Sequence, residues 1–299
     1  MRGIELPAVM GIVNVTPDSF SDGGRFLDPG RAVEHGLELA AAGAAVLDVG
    51  GESTRPGSEP TPADEQRRRV VPVVRRLAAE AGVPVSVDTS DASVAAAALD
   101  AGATAVNDIT AGRDPAMLGL VARAGAGYVF MHMRGTPATM QADPRYDDVV
   151  AEVGAFLAER RRAALEAGVA EAELMADPGL GFGKTVAHNL TLLARLGEVA
   201  RTAGVPILVG PSRKGFIGVA GGPPGAPLPV EQREDGTLAA VVWALDRGAS
   251  MVRVHDVTPA VEAVRVLRAV AAATPTDPDP PVSWRPPQPV EAPSGVVSA

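Results

Sequence analysis

AVMGIVNVTPD, residues 8–18, decides between two folds. Its first half is a continuous apolar run, the pattern of a strand buried on both faces. A doubly wound open sheet usually follows its first strand with a Gly-rich phosphate loop. Here the strand ends instead in Asn14-Val15-Thr16-Pro17-Asp18. Seven further short apolar runs follow: 45–50, 84–88, 103–107, 127–132, 173–177, 205–210 and 250–255. Longer amphipathic or Ala-rich segments alternate with them at 29–42, 62–81, 91–101, 115–124, 146–168, 187–203, 230–247 and 258–272. Eight strand–helix pairs without the dinucleotide fingerprint predict a closed (β/α)8 barrel over residues 1–273. The open sheet is the alternative.

Local signals agree. Asp28-Pro29, Thr61-Pro62 and Thr258-Pro259 with Glu262 read as helix starts, with a capping side chain before a Pro. AAGA (41–44), AGV (81–83), AGAT (101–104), AGAG (124–127) and AGV (203–205) place Gly just past a helix. A left-handed terminal residue is wanted there. Residues 274–299 are dense in Pro and lack any helical or strand period, so a disordered or extended tail is expected.

Composition narrows the function. The chain of 299 residues is 46% hydrophobic and 21% charged, ordinary values for a globular protein. With no cysteine, it has no disulfide framework, thiolate nucleophile or Cys-held metal. A net charge of −9 argues against nucleic acid as partner. Neither a signal peptide nor a membrane span is read, so the cytoplasm is the expected compartment.

The polar residues that interrupt the apolar runs fall at strand ends: Asn14, Asp48, Asp88, Asn107-Asp108, His132, Asp177, then Ser212-Arg213-Lys214, and Arg253 with His255. A barrel brings every strand's C-terminal end to one mouth. Carboxylates beside Asn suit a heterocycle carrying amino, ring N–H and carbonyl groups. Lys, Arg and His suit a phosphate or diphosphate. ADPGLGFGKT (176–185) is not a nucleotide loop, because Pro178 stands where that motif needs Gly. The four His are scattered without zinc spacing. Any metal is expected to be Mg2+, held mostly by substrate phosphates and water.

In order along the chain stand MGIVNVTPDSFSDGG (10–24), DVGGESTRPG (48–57), VSVDTS (85–90), VND (106–108), MHMRGTPATMQ (131–141), DPGLGFGKT (177–185), SRK (212–214) and RVHDV (253–257). Together they resemble dihydropteroate synthase, the sulfonamide-target enzyme of folate biosynthesis, over nearly all of residues 9–272. The resemblance implies a (β/α)8 transferase that joins 6-hydroxymethyl-7,8-dihydropterin diphosphate to p-aminobenzoate by an SN1-like departure of diphosphate. It implies a pterin pocket of Asp88, Asn107, Met131, Asp177 and Lys214. It implies a diphosphate site of Asn14, Arg253 and His255, with Asn14 also a Mg2+ ligand. Thr54, Arg55, Pro56 and Phe182 would form the p-aminobenzoate surface, and Phe20 a lid. Asp88, Lys214, Arg253 and His255 are the expected catalytic set. Sulfonamides are expected inhibitors and a homodimer the expected assembly. The chain departs from the family pattern at Gly215, where many members carry a Ser that helps hold the p-aminobenzoate carboxylate. A non-catalytic pterin-binding paralogue and a folate-binding methyltransferase module are the rival readings.

Overall fold

A computed structural model describes residues 3–16, 29–55 and 57–273. The expected lid residue Phe20, Pro56, the Asp28 cap and the Pro-rich tail lie outside the described residues. Strands and helices alternate as β1 (Ala8–Asn14), α1 (Pro29–Ala41), β2 (Val46–Gly50), α2 (Ala63–Glu80), β3 (Val85–Asp88), α3 (Ala92–Asp100), β4 (Ala105–Asp108), α4 (Met117–Ala124), β5 (Gly127–Met131) and α5 (Val149–Glu166). They continue as β6 (Leu174–Asp177), α6 (Val186–Ala194), α7 (Leu196–Ala203), β7 (Leu208–Val209), α8 (Gly215–Gly221), α9 (Glu234–Asp246), β8 (Met251–Val254) and α10 (Val257–Ala272). All strand pairings are parallel, in the order β6-β5-β4-β3-β2-β1-β8-β7. The two ends of that order meet through a parallel bridge between Ala176 and Ile207, which closes the barrel.

The apolar residues divide by strand parity into two cores. Ala8, Met10, Val46, Val129, Met175, Leu208 and Met251 fill the barrel interior. The alternate positions, such as Val9, Leu47, Val87, Val106, Phe130 and Val252, face outward into the helix ring. Helices meet them along 3.6-period stripes, Val70, Val73, Val74 and Leu77 on α2 and Val257, Ala260, Val261 and Val264 on α10. Both faces of each strand are therefore buried, which accounts for the unbroken apolar runs.

Several local expectations change. The segment 187–203 is two helices, broken at Arg195 (φ −110°, ψ 26°), whose guanidinium turns to Glu198 at 2.7 and 2.8 Å. Thr61 does not cap α2: its backbone N–H is taken by Glu52 Oε1 at 2.7 Å, and Pro62 holds the cap position. Nor does Thr258 cap α10, which begins one residue earlier behind Asp256; that carboxylate is occupied by Arg213. Side-chain caps occur at Asp91, Asp148 and Thr185. The expected left-handed glycines are found, with Gly125 (φ 61°) and Gly204 (φ 68°) closing α4 and α7. No helix among the described residues is long and apolar enough to cross a membrane.

Candidate active site

Inward parity carries polar side chains from five strands to one rim. Asp48 on β2, Asp88 on β3, Asn107 on β4, Asp177 on β6 and Arg253 on β8 are all in phase with the interior residues below them. Asn14 ends β1 in the same phase, registered opposite Gly50. Two predicted rim residues are out of phase. Asp108 points outward, where it accepts the backbone N–H groups of Thr110 and Gly112 at 2.7 Å and the Tyr128 hydroxyl at 2.9 Å. It fixes the loop after β4. His132 likewise lies among Tyr146, Phe156 and Lys184.

The rim centres on Arg253. Its Nε donates to Asp48 Oδ2 at 2.6 Å and its Nη2 to Asp88 Oδ2 at 2.7 Å. Asn107 Nδ2 donates to the same Asp48 oxygen at 2.9 Å. Asp48 is fully buried, and its Oδ1 has no hydrogen-bond partner among the described residues. Burial pushes the Asp88 carboxyl up to about 7, against the pull of Arg253 and with the help of Asp48. The sequence sets Asp48 with Asp88 and Asp177 among the rim carboxylates suited to a heterocycle, and the resemblance gives it no place of its own. Its inward parity and fixed pairing with Ile12 are the signal that sets it beneath Arg253 and Asn107.

A second group lies across the mouth. Asp177 Oδ1 accepts the Gly179 N–H at 2.7 Å, and burial raises this carboxyl too. Lys214 Nζ donates to the Leu180 carbonyl and sits 4.5 Å from the centre of the Phe182 ring. Burial draws Lys214 down to about 8, while Asp177 acts in the opposite sense. Ile109, Met131, Met133 and Met140 form an apolar cluster on which Phe182 packs. Met131 and Phe182, assigned to two substrates by the resemblance, thus share one wall.

The cations differ in freedom. Arg213, counted with the anion-binding residues by sequence, is committed to Asp256 at 2.8 Å and Glu234 at 3.0 Å. Its backbone is left-handed (φ 56°), and its N–H donates to Thr237 Oγ1 at 3.0 Å. It shapes the turn that presents Lys214. His255 Nδ1 lies 2.9 Å from Ser212 Oγ, which also accepts the His255 backbone N–H at 3.2 Å. Burial and the charge of Arg253 draw this imidazole down to about 4. At neutral pH it is uncharged, and a Nδ1 that accepts from Ser212 leaves the proton on Nε2.

The arylamine set is dispersed over three loops. Thr54 and Arg55 lie after β2, where Ser58 Oγ donates to the carbonyls of Ser53 and Arg55 at 2.6 and 2.8 Å. Gly57 N–H reaches across to the Pro137 carbonyl at 3.0 Å, joining this loop to the one after β5. Gly215 opens α8, exposed, with nothing among the described residues within 4 Å of where a Cβ would stand. The Asn14 amide offers a hard oxygen of the kind Mg2+ prefers. Among the described residues no cluster of three His, Asp or Glu forms a metal cage.

The arrangement sets carboxylates and an amide suited to a flat polar heterocycle beside cations suited to an anion. Comparisons with known proteins agree with that chemistry. A family model described as "Pterin binding enzyme" matches residues 10–255. The dihydropteroate synthase of Mycobacterium leprae (strain TN) is 51% identical over 270 residues, spanning 89% of this chain and 94% of that protein. A structure of the Xanthomonas albilineans dihydropteroate synthase with 4-aminobenzoic acid superposes with a TM-score of 0.84 at 49% identity, covering 91% of this chain and 95% of that one. A Yersinia pestis dihydropteroate synthase solved as a sulfonamide drug complex gives a TM-score of 0.84 at 42% identity, covering 91% and 98%.

Proposed function

We infer the function from one premise: the chain belongs to the dihydropteroate synthases, within the pterin-binding enzyme family. It is a transferase that condenses 6-hydroxymethyl-7,8-dihydropterin diphosphate with p-aminobenzoate and releases diphosphate. The observation that carries the reading is the junction of the two rim groups: buried carboxylates and an amide on one side, Lys214 against Phe182 on the other, with Arg253 between acids.

Each residue has a task in the proposed mechanism. Asp88, Asn107 and Asp177 hold the pterin through its N–H and carbonyl groups, and Met131 walls the ring. Arg253 and neutral His255 Nε2–H donate to diphosphate oxygens. The bond between the pterin methylene and the bridging oxygen breaks, and its electron pair leaves with diphosphate. The arylamine lone pair then attacks the methylene cation, and the nitrogen loses a proton. Buried carboxylates near that carbon favour the cation more than they would in water. Asn14 would hold Mg2+ through its amide oxygen, and the ion would supply charge neutralisation on the departing diphosphate. Thr54, Arg55, Pro56, Phe182 and the start of α8 at Gly215 take p-aminobenzoate, with Phe20 closing the mouth. Sulfonamides, seen on the Yersinia pestis relative, are inhibitors at that surface.

A homodimer in the cytoplasm is the proposed assembly and compartment. Leu190, Val219, Val242 and Trp243 are exposed on α6, α8 and α9, and Trp243 Nε1 ties α9 to α6 through the Leu193 carbonyl at 3.1 Å. Exposed apolar side chains on three helices that touch one another support self-association. Expression in a strain lacking its own synthase tests the activity. Growth without added folate end-products is expected; failure with soluble protein present would favour the non-catalytic paralogue.

A further inference from the structure

Lys184 is the residue of DPGLGFGKT that neither a nucleotide nor the proposed chemistry uses. Only 3% of it is exposed. Its Nζ lies 2.9 Å from His132 Nδ1, 2.9 Å from the Gly179 carbonyl, 3.0 Å from the Phe182 carbonyl and 3.3 Å from the His132 carbonyl. No carboxylate among the described residues pairs with it within 4.0 Å, so its direct partners are the dipoles of two loops and one imidazole; burial draws it down to about 7, while the charge of Asp177 acts in the opposite sense. Burial draws His132 down to about 3, so the ring stays neutral with Nδ1 as acceptor.

The two loops meet with no room between them. A Cβ on Gly179 would stand 2.0 Å from the His132 carbonyl oxygen, and one on Gly183 2.5 Å from that of Arg134. Both glycines also have positive φ (67° and 65°), so a side chain is excluded twice over. Lys184 spans this seam from the inside. Beyond the seam, the same loop sets three groups of the pocket: Gly179 N–H fixes Asp177 Oδ1, Leu180 accepts Lys214, and the Phe182 ring meets Lys214.

We propose that Lys184 is a positioning residue: by drawing the His132, Gly179 and Phe182 carbonyls onto one ammonium, it sets Asp177 and Lys214 for the pterin, with the Phe182 ring held against Lys214. The proposal rests on the dihydropteroate synthase reading. It predicts a binding defect and not a chemical one, because Nζ is turned into the seam, away from the reacting atoms.

The test compares wild type, Lys184→Met and Lys184→Gln by steady-state kinetics and by calorimetric titration with hydroxymethyl-dihydropterin diphosphate. Lys184→Met is expected to raise the pterin KM and Kd at least tenfold while kcat stays within threefold. Lys184→Gln keeps two donors and is expected to fall between Met and wild type. If the Met variant does not fold, the same split in the Gln variant carries the test. Unchanged pterin affinity, a loss confined to kcat, or a lowered Tm with intact kinetics would each overturn the placement. A wild-type chain that binds pterin without making product would overturn the functional reading instead, and the calorimetric comparison would still judge Lys184.

Discussion

Asp177 is a buried carboxyl and Asp88 a largely buried one, both held against their preference for water, and they answer pH and charge in ways that can be measured. With Asp88 near 7, acidification protonates it: the ion pair with Arg253 weakens, and the pterin loses an acceptor. The pterin KM should therefore rise as pH falls below about 7. An Asp88→Asn variant, weak throughout, should lack that slope; a wild-type KM flat from pH 5 to 8 would contradict the assignment. Asp177→Asn replaces a charged acceptor with an amide that brings an unwanted donor. Buried hydrogen bonds to charged groups are worth about 1.5–3 kcal/mol, so calorimetry should show pterin affinity lowered by one to two orders of magnitude. His255, already neutral at physiological pH, should add no inflection between pH 6 and 8.

At the scale of elements, the strands were legible and the helix starts less so. All eight strands lie where continuous apolar runs placed them, because burial on both faces leaves that mark in the residues themselves. The glycines after the helices were legible for a comparable reason, since a left-handed residue has few chemical solutions. Thr61 and Thr258 do not cap their helices because tertiary partners that composition does not reveal fix the chain there: Glu52 on the Thr61 backbone N–H in one case, Arg213 with Asp256 ahead of Thr258 in the other. Helix α8 offers a further test. The open space around Gly215 admits a Ser hydroxyl without moving anything. Gly215→Ser should lower the KM for p-aminobenzoate several-fold and leave the pterin KM unchanged; an equal change in both, or none, would remove Gly215 from the arylamine surface.

For the whole molecule, strand parity joins fold to site. The side chains that fill the barrel and those that line its mouth are successive residues of one inward row, as with Met175 below Asp177 and Met251 below Arg253. Sequence reasoning brought Asp88, Asn107, Asp177, Arg253 and Lys214 to one rim because a closed barrel leaves strand ends no other place. It could not separate Asp108 and His132 from that set, since a residue at a strand end faces in or out according to a phase that only register fixes. Nor could it find the Lys184 seam, whose partners are backbone carbonyls. The row also predicts a cost. Met175 is 2% exposed, and truncating such a side chain to Ala typically costs about 2–5 kcal/mol. Met175→Ala should lose stability of that order in denaturant unfolding; a loss under about 1 kcal/mol would mean the interior is not packed as described.

The most direct measurement is diphosphate release by the purified protein, given hydroxymethyl-dihydropterin diphosphate and Mg2+, with and without p-aminobenzoate. Release is expected to depend on the arylamine, with one dihydropteroate formed for each diphosphate. Pterin bound tightly while neither product accumulates would contradict it.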